Sequence, residues 1–481
     1  MTRKIAFVAL AFVLGACGDD NNSHTTQPKP PVVSSFSVAP NENNVLSAIA
    51  SLALENADSA HIVYWTGSEA KQSTPFRSDL SSAGRAAVVG LRPETEYSMF
   101  VEAIGGGATA SSDTLTFTTG ALDPFLAASH LTGDPVLTGG YVIAALQNAA
   151  DGYFTIFDSA GQVAWYKKFP AQTVAEMKQQ ANGDFTVILT TSHGGEPVIG
   201  SAVELALDGS TVRTFTAPST SPYFDDHEFW LLFNDGTYDG ALFLAYNQRT
   251  LDLSSTGGPS DSVVSGHQLI REDASGNQHV VFDAWDHFQL SDNVEPSPGQ
   301  PDFDHPNAIT FDTDGNYIVS WRNLDVITKI NAATGDLMWT LASPLSARAS
   351  DFTIANDPLN GFSAQHSSRI LDSGHLLVFD NGTRHSTPAS RVVEYQVDET
   401  AHTATMVWQY QHAPALFTQF TGSVQRLQNG NTFIGWTWPP VSGQEIASDG
   451  TTAWEATLVT PRSQLPYRLT KIRSLYSYQK P

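Results

Sequence analysis

Three short stretches of this 481-residue chain set a histidine among polar residues just ahead of an apolar run. They are Asp226-His227-Glu228-Phe229, Asp304-His305-Pro306-Asn307 and Gln365-His366-Ser367-Ser368. Each histidine precedes a turn glycine (Gly236, Gly315 or Gly374) by eight to ten residues. A common offset in a repeating chain predicts that the three imidazoles converge. Arg322, in Val319-Ser320-Trp321-Arg322-Asn323, follows the second strand of the same unit as His305. A neutral imidazole is a nucleophile near pH 7, and His and Arg donors suit a dispersed negative charge. The set reads as machinery for transferring an anionic group. Three histidines also suit zinc. Here, however, the nearest pair lies 61 residues apart, and Arg322 would repel a cation. Asp226 and Asp304, each just before a histidine, are expected to orient the imidazoles. No GxxxxGK[ST] or GxGxxG loop opens a helix, so a nucleotide donor is unsupported and no cofactor is expected. Trp321, Phe362, Phe379, Trp436 and Trp438 are candidates for an aromatic rim that stacks on a substrate.

What must position these residues is a repeat. Ile309–Val319 around Asp314-Gly315, Arg369–Val378 around Ser373-Gly374 and Gln425–Ile434 around Asn429-Gly430 share one pattern of strand, glycine turn and strand. Met177–Ile188 and Phe229–Leu244 are further copies, and Gly139–Ile156 is the least clear. Later in the units come Ala164-Trp165, Met338-Trp339, Val407-Trp408 and Ala453-Trp454. Radially repeated four-stranded units make a β-propeller, whose ligands bind at the mouth of the central channel, where the innermost strands begin. The count over residues 140–481 is six blades, or seven if 226–304 hides two. Tyr467–Tyr476 is expected to be a closing strand. Residues 121–139 read as a linker.

Residues 32–120 alternate apolar and polar in short runs such as His61–Gly67 and Tyr97–Ile104. Leu91-Arg92-Pro93-Glu94-Thr95-Glu96-Tyr97 resembles a fibronectin type III domain, with Tyr97 at a tyrosine corner and Trp65 as the buried tryptophan. The fold class is thus all-β: a six-bladed propeller preceded by a small fibronectin type III-like sandwich.

The amino terminus reads as a leader. Arg3 and Lys4 precede the apolar run Ile5–Leu14, and Leu14-Gly15-Ala16-Cys17 resembles a bacterial lipobox. Residues 1–16 are then a signal peptide, Cys17 the lipidated residue, and 17–31 a flexible tether. The expected location is the cell envelope, outside the cytoplasm, with contact to the membrane only through the anchor. Cys17 is the one cysteine, so an intramolecular disulfide is excluded. With 25 Lys+Arg against 49 Asp+Glu, the net charge of −24 argues against a nucleic-acid partner. Self-association into a homo-oligomer stays open.

The stretches DDHEF, FDHPNAITFDTDGNYIVSWRN, TKINAATGDLMWTL, QHSSRILDSGHLLVFDNG and SRVVEYQVD resemble the bacterial arylsulfate sulfotransferases, as does the closing YRLTKIRSLY. The resemblance covers most of 140–481 and is most specific across 300–440. It implies a six-bladed propeller that moves a sulfuryl group from an aryl sulfate to a phenolic acceptor without a nucleotide cofactor. It implies that His366 is the nucleophile that becomes sulfo-histidine. It implies that His305, His227 and Arg322 bind the sulfuryl oxygens and assist proton transfer. Some members carry a disulfide near the site, which this chain cannot form. A non-catalytic binding propeller and a metal-assisted hydrolase or lyase remain alternatives on the residues alone.

Overall fold

A computed structural model describes residues 29–134, 137, 139–191, 200–219, 223–295, 302–462 and 465–478. The leader, Cys17 and most of the tether lie outside the described residues. Among those described, no helix is long and apolar enough to cross a membrane.

Among the described residues, six sheets follow one another from Tyr141 to Val459, antiparallel except where Thr353–Ala355 runs parallel to Thr403–Tyr410 at the edge of the fifth. The first holds Tyr141–Gln147, Asp151–Phe157 and Val163–Pro170, and its innermost strand is Leu469–Ile472 from the far end of the chain. The second runs Thr173–Gln179 to Thr211–Thr216, the third Phe224–Asn234 to Gln278–Asp283, and the fourth Pro306–Phe311 to Leu337–Ala342. The fifth starts at His366–Ile370 and the sixth at Ser423–Arg426. Residues 226–283 thus belong to one sheet, not two.

The sequence builds this through strands that are apolar on both faces. In Tyr317–Trp321, Ile318 packs toward the fifth sheet, while Tyr317 and Val319 pack toward the third. Successive side chains of a strand point to opposite faces, so a blade wedged between two neighbours needs apolar residues at every position. Six such cores join sheet to sheet all the way round. One of them joins Phe433 and Trp454 of the sixth sheet to Val142 and Tyr153 of the first, which closes the propeller. Tryptophans fasten neighbouring blades: Trp165 donates to the Leu207 carbonyl at 2.9 Å, and Trp230 to that of Ile309 at 2.9 Å.

Residues 121–139 are not a linker. Pro124–Ala127 is a short helix, and His130–Gly133 pairs with Thr452–Val459 as an outer strand of the sixth sheet. Leu126, Leu131 and Leu137 bury in the core between the sixth and first sheets, so their apolar character is used within the propeller.

Residues 32–118 form a two-sheet sandwich. Tyr97 sits in its core, and its hydroxyl accepts a hydrogen bond from the Arg92 amide at 2.9 Å. Trp65 is not the buried aromatic. Ala60, Ile62 and Tyr64 of its strand face the core, while Trp65 lies half-exposed, with Lys71 4.5 Å from its ring. The sandwich docks on the propeller through Asn41 to the Asp208 carbonyl (2.9 Å), Lys167 to Asn43 (2.7 Å) and Val89 to the Tyr476 hydroxyl (2.9 Å). The 206–210 turn and Tyr476 lie where inner strands end, so the sandwich occupies the face opposite their beginnings.

Candidate functional site

The structure brings the three sequence-selected histidines to the entries of three successive inner strands. His227 lies in a bulge where pairing is interrupted between Phe224 and Phe229. His305 takes a left-handed φ of 47° immediately before Pro306–Phe311. His366 opens His366–Ile370, flanked by Ala364 and Ser367 at φ 51°. Such backbone is uncommon for residues with a side chain and clusters at functional sites. The His227 and His305 rings lie 4.6 Å apart. Tyr467, just before the closing strand, stands between the imidazoles, 5.3 Å from His227 and 6.3 Å from His366.

Each imidazole is tied back through Nδ1, which leaves Nε2 to face its neighbours. The ties differ in kind. His227 Nδ1 meets both oxygens of Asp225 at 3.0 and 3.1 Å, and His305 Nδ1 meets Asp302. His366 Nδ1 meets the Asn381 side-chain oxygen at 2.8 Å and the Ala364 carbonyl at 3.1 Å. The Asn381 amide nitrogen donates to the carbonyls of Thr418 (2.8 Å) and Thr421 (3.0 Å), so only its oxygen is left for the ring. His366 therefore carries its proton on Nδ1. Among the described residues its Nε2 lone pair meets only a long contact from the Thr421 amide, at 3.3 Å.

The electrostatics follow the ties. Burial, joined by the Arg322 and His305 charges, holds His366 well below the usual histidine range, so it is neutral. Burial also works against charge on His227, but the Asp225 carboxylate overcomes it and raises that pKa. Tyr467 is pushed up by burial and keeps its proton.

Arg322 opens the turn after Tyr317–Trp321, and its amide donates to the His305 carbonyl at 3.0 Å. Its guanidinium pairs with Glu295 and with Asn323 at 2.6 Å, while its Nε is buried without a partner among the described residues. Glu295 also accepts from Arg384 at 2.5 Å, so one carboxylate bridges two guanidiniums.

Some expectations need correction. Asp304 does not orient His305: its carboxylate turns to His267 and touches His305 only through the backbone amide, at 2.9 Å. Asp302, three residues before His305, holds the ring instead. Asp226 lies 3.3 Å from His227 Nδ1, a second contact behind Asp225. Trp321, Phe362, Phe379 and Trp436 are fully buried in the inter-blade cores and form no rim. Trp438 is half-exposed and packs edge-on against Phe420 at 4.9 Å, and Phe420 is 44% exposed. Sequence reasoning missed Phe420, Tyr467, Asn381, Asp225, Asp302, His267 and Glu295. One available signal was position, since Asn381 directly follows a second strand just as Arg322 does.

Beneath this layer lies a buried floor of charge. Glu228 pairs with Lys178, with Arg369 at 3.2 Å and with Arg468 at 3.2 Å; Arg468 also reaches Glu176 at 3.1 Å. Burial would raise the Glu228 pKa, but Arg369, Arg468 and Lys178 bring it down to about 2. A cavity of about 860 Å³ lies on the far side of this floor, among the ends of the inner strands. It does not contain the three imidazoles.

No curated protein matches the chain. Among solved structures, a protein of unknown function from Bacteroides caccae aligns at 14% identity and TM-score 0.43, over 70% of this chain and 100% of its own. A protein from Lactobacillus plantarum aligns at 12% identity and TM-score 0.36, over 86% and 99%. Virginiamycin B lyase from Staphylococcus aureus aligns at 9% identity and TM-score 0.33, over 69% and 89%. The family model described as arylsulfotransferase (ASST) matches residues 107–459, which include His227, His305, Arg322 and His366. The chain belongs to the arylsulfotransferase family and is a sulfotransferase acting on aryl sulfates.

Proposed function

We propose that this enzyme transfers the sulfuryl group in two steps through a sulfo-histidine on His366. The observation that carries the reading is the contrast in what backs the imidazoles. A carboxylate behind an imidazole favours the charged, donating form, whereas an amide behind a buried one leaves it neutral and nucleophilic. The sulfate of an aryl sulfate sits against Arg322, His227 and His305. His366 Nε2 attacks sulfur in line. The nitrogen–sulfur bond forms as the sulfur–oxygen bond to the aryl group breaks, and His227 gives its proton to the departing phenolate. A phenolic acceptor then enters, His227 takes its proton back, and the phenolate oxygen attacks sulfur to free His366. Sulfuryl transfer resembles phosphoryl transfer in needing positioning and charge stabilisation more than covalent help from the protein. Phe420 and Trp438 offer the aryl ring an apolar face beside Thr421.

The test is turnover of p-nitrophenyl sulfate with and without phenol, followed by trapping of labelled sulfate on the protein. Phenol-dependent release and a label on His366 are expected. Retained turnover in His366→Ala would falsify the assignment. Chelator-sensitive release without phenol would favour a metal-assisted hydrolase. The lipobox-like Leu14–Cys17 supports an envelope anchor, and the sandwich docks on the face opposite the histidines. Incorporation of labelled palmitate that is lost in Cys17→Ala tests the anchor.

A further inference from the structure

Behind the two carboxylate-backed histidines sits a fourth. His267 lies within Ser262–Asp273, 1% exposed, its ring 4.4 Å from that of Tyr246. Its Nδ1 meets Asp304 Oδ1, and its backbone amide donates to Asp304 Oδ2 at 3.1 Å. Its Nε2 lies 3.4 Å from Asp225 Oδ2. Both ring nitrogens thus face carboxylates, which only accept hydrogen bonds when ionised. A ring that donates from both sides carries a proton on each and is a cation.

Its position explains why a cation is needed. Asp225 and Asp304 are both fully buried. His227 accompanies Asp225 and His305 accompanies Asp302, but among the described residues Asp304 pairs with no cation except His267. A buried carboxylate without a counter-charge takes up a proton or moves toward water. Either change would disturb the site. Asp225 holds the His227 backbone amide at 3.0 Å as well as its ring, and Asp304 holds the amide of His305 in its left-handed turn.

We propose that His267 is a positioning residue for sulfuryl transfer, a doubly donating imidazolium that ties together the carboxylates setting His227 and the His305 turn. The role rests on the reading of His227 and His305 as the groups that hold the transferred sulfuryl. His267 touches neither donor nor acceptor. It fixes Asp225 against His227 and tempers the negative charge there. The charged and titratable groups around His227 are Asp225 and Asp226 on its own strand, His305 and Asp302, His267, His366 and Tyr467.

The experiment uses the whole protein. In a neutron structure of the wild type, both His267 nitrogens should carry deuterium; a single deuteron overturns the proposal without any variant. In His267→Gln a cation beside His227 disappears while Asp225 and Asp226 stay. The alkaline limb of kcat/KM for p-nitrophenyl sulfate should therefore move to higher pH. The kcat should fall roughly 10–100-fold, as when second-layer partners of functional histidines are removed, with KM little changed. A uniform loss at every pH with an unmoved limb would mean a merely structural role. Loss of wild-type activity on chelation, restored by a divalent cation, would make these carboxylates and imidazoles ligands and also overturn the proposal. Failure of the wild type to turn over any aryl sulfate would instead sink the underlying reading, while the neutron result would still report on the ring.

Discussion

Replacing Asp225 by Asn separates charge from shape at His227. The amide keeps an oxygen that can accept from the His227 ring and backbone, so the bulge at residues 224–229 should persist. What disappears is a negative charge 3.0 Å from Nδ1. At that distance two unit charges attract by roughly 5 kcal/mol at an effective dielectric of about 20. Asp226, 3.3 Å from the ring and partly exposed, returns only a fraction of this. With burial then largely unopposed, His227 should lose its proton near neutrality and offer a neutral donor, or none, to the sulfuryl oxygens. Losing one such donor costs on the order of 10²–10³ in rate. The sign of the pH effect is fixed. The wild-type pKa is raised, so the donating form survives to higher pH, and removing the carboxylate moves the alkaline limb toward acid. That is opposite to the shift expected for His267→Gln. The assay is kcat/KM across pH for aryl sulfates whose leaving phenols differ in acidity. The loss should be greatest for the least acidic phenols, which most need the proton. An equal loss for every leaving group, with no movement of the limb, would refute His227 as the proton donor.

Three further outcomes are expected. Gly422→Ala puts a methyl group 2.5 Å from the Phe379 ring at a φ of 106°, and should cost about 1–3 kcal/mol in denaturant unfolding while lowering kcat through the adjacent Thr421. Phe420→Ala should raise KM for aryl sulfates about 3- to 10-fold, the worth of roughly 0.5–1.5 kcal/mol of ring contact, with kcat little changed; a fall in kcat alone would place the aryl ring elsewhere. Glu228→Gln should destabilise the fold by about 3–5 kcal/mol, because Lys178, Arg369 and Arg468 lose their shared counter-charge. Its pKa is depressed to about 2, so the stability Glu228 gives is full above its unfolded pKa and fades as pH falls toward about 2. Equilibrium unfolding of wild type and variant across that range should converge at the acid end.

The propeller was legible because its cause is local. The glycine turns at Gly315, Gly374 and Gly430 and the strand-length apolar runs beside them recur at one spacing, and strands wedged between two blades need those runs. The histidines were legible for the same reason, since a repeat carries one position of each unit to one end of the channel. The partners were not. His267 and Asp304 are 37 residues apart and meet only because one blade packs on the next. Tyr467 meets His227 because a strand from the end of the chain completes the first sheet. Asp304 misled because adjacency in sequence is not adjacency of side chains: His305 takes a left-handed φ of 47°, and the residue before it turns its carboxylate to His267 on the preceding blade. Trp321, Phe362, Phe379 and Trp436 misled because a large aromatic fills a core between blades as readily as it lines a mouth.

Three histidines delivered by one repeat would be chemically alike if the scaffold alone decided their roles. Burial and neighbouring charge set part of their difference, and the group one contact behind each ring sets the rest. Asp225 and Asp302 present an oxygen that carries charge, while Asn381 presents one that does not. The Asn381 amide cannot be turned round, because its nitrogen is committed to the Thr418 and Thr421 carbonyls. Burial and the Arg322 and His305 charges hold His366 neutral, and the loop that brings Thr421 to its Nε2 sets no carboxylate behind the ring to oppose them. Giving another blade a buried, neutral histidine of this kind would require more than exchanging histidines. It would require a second asparagine whose nitrogen is already taken, which is why the chemistry of this ring resides in its connecting turns more than in its strands.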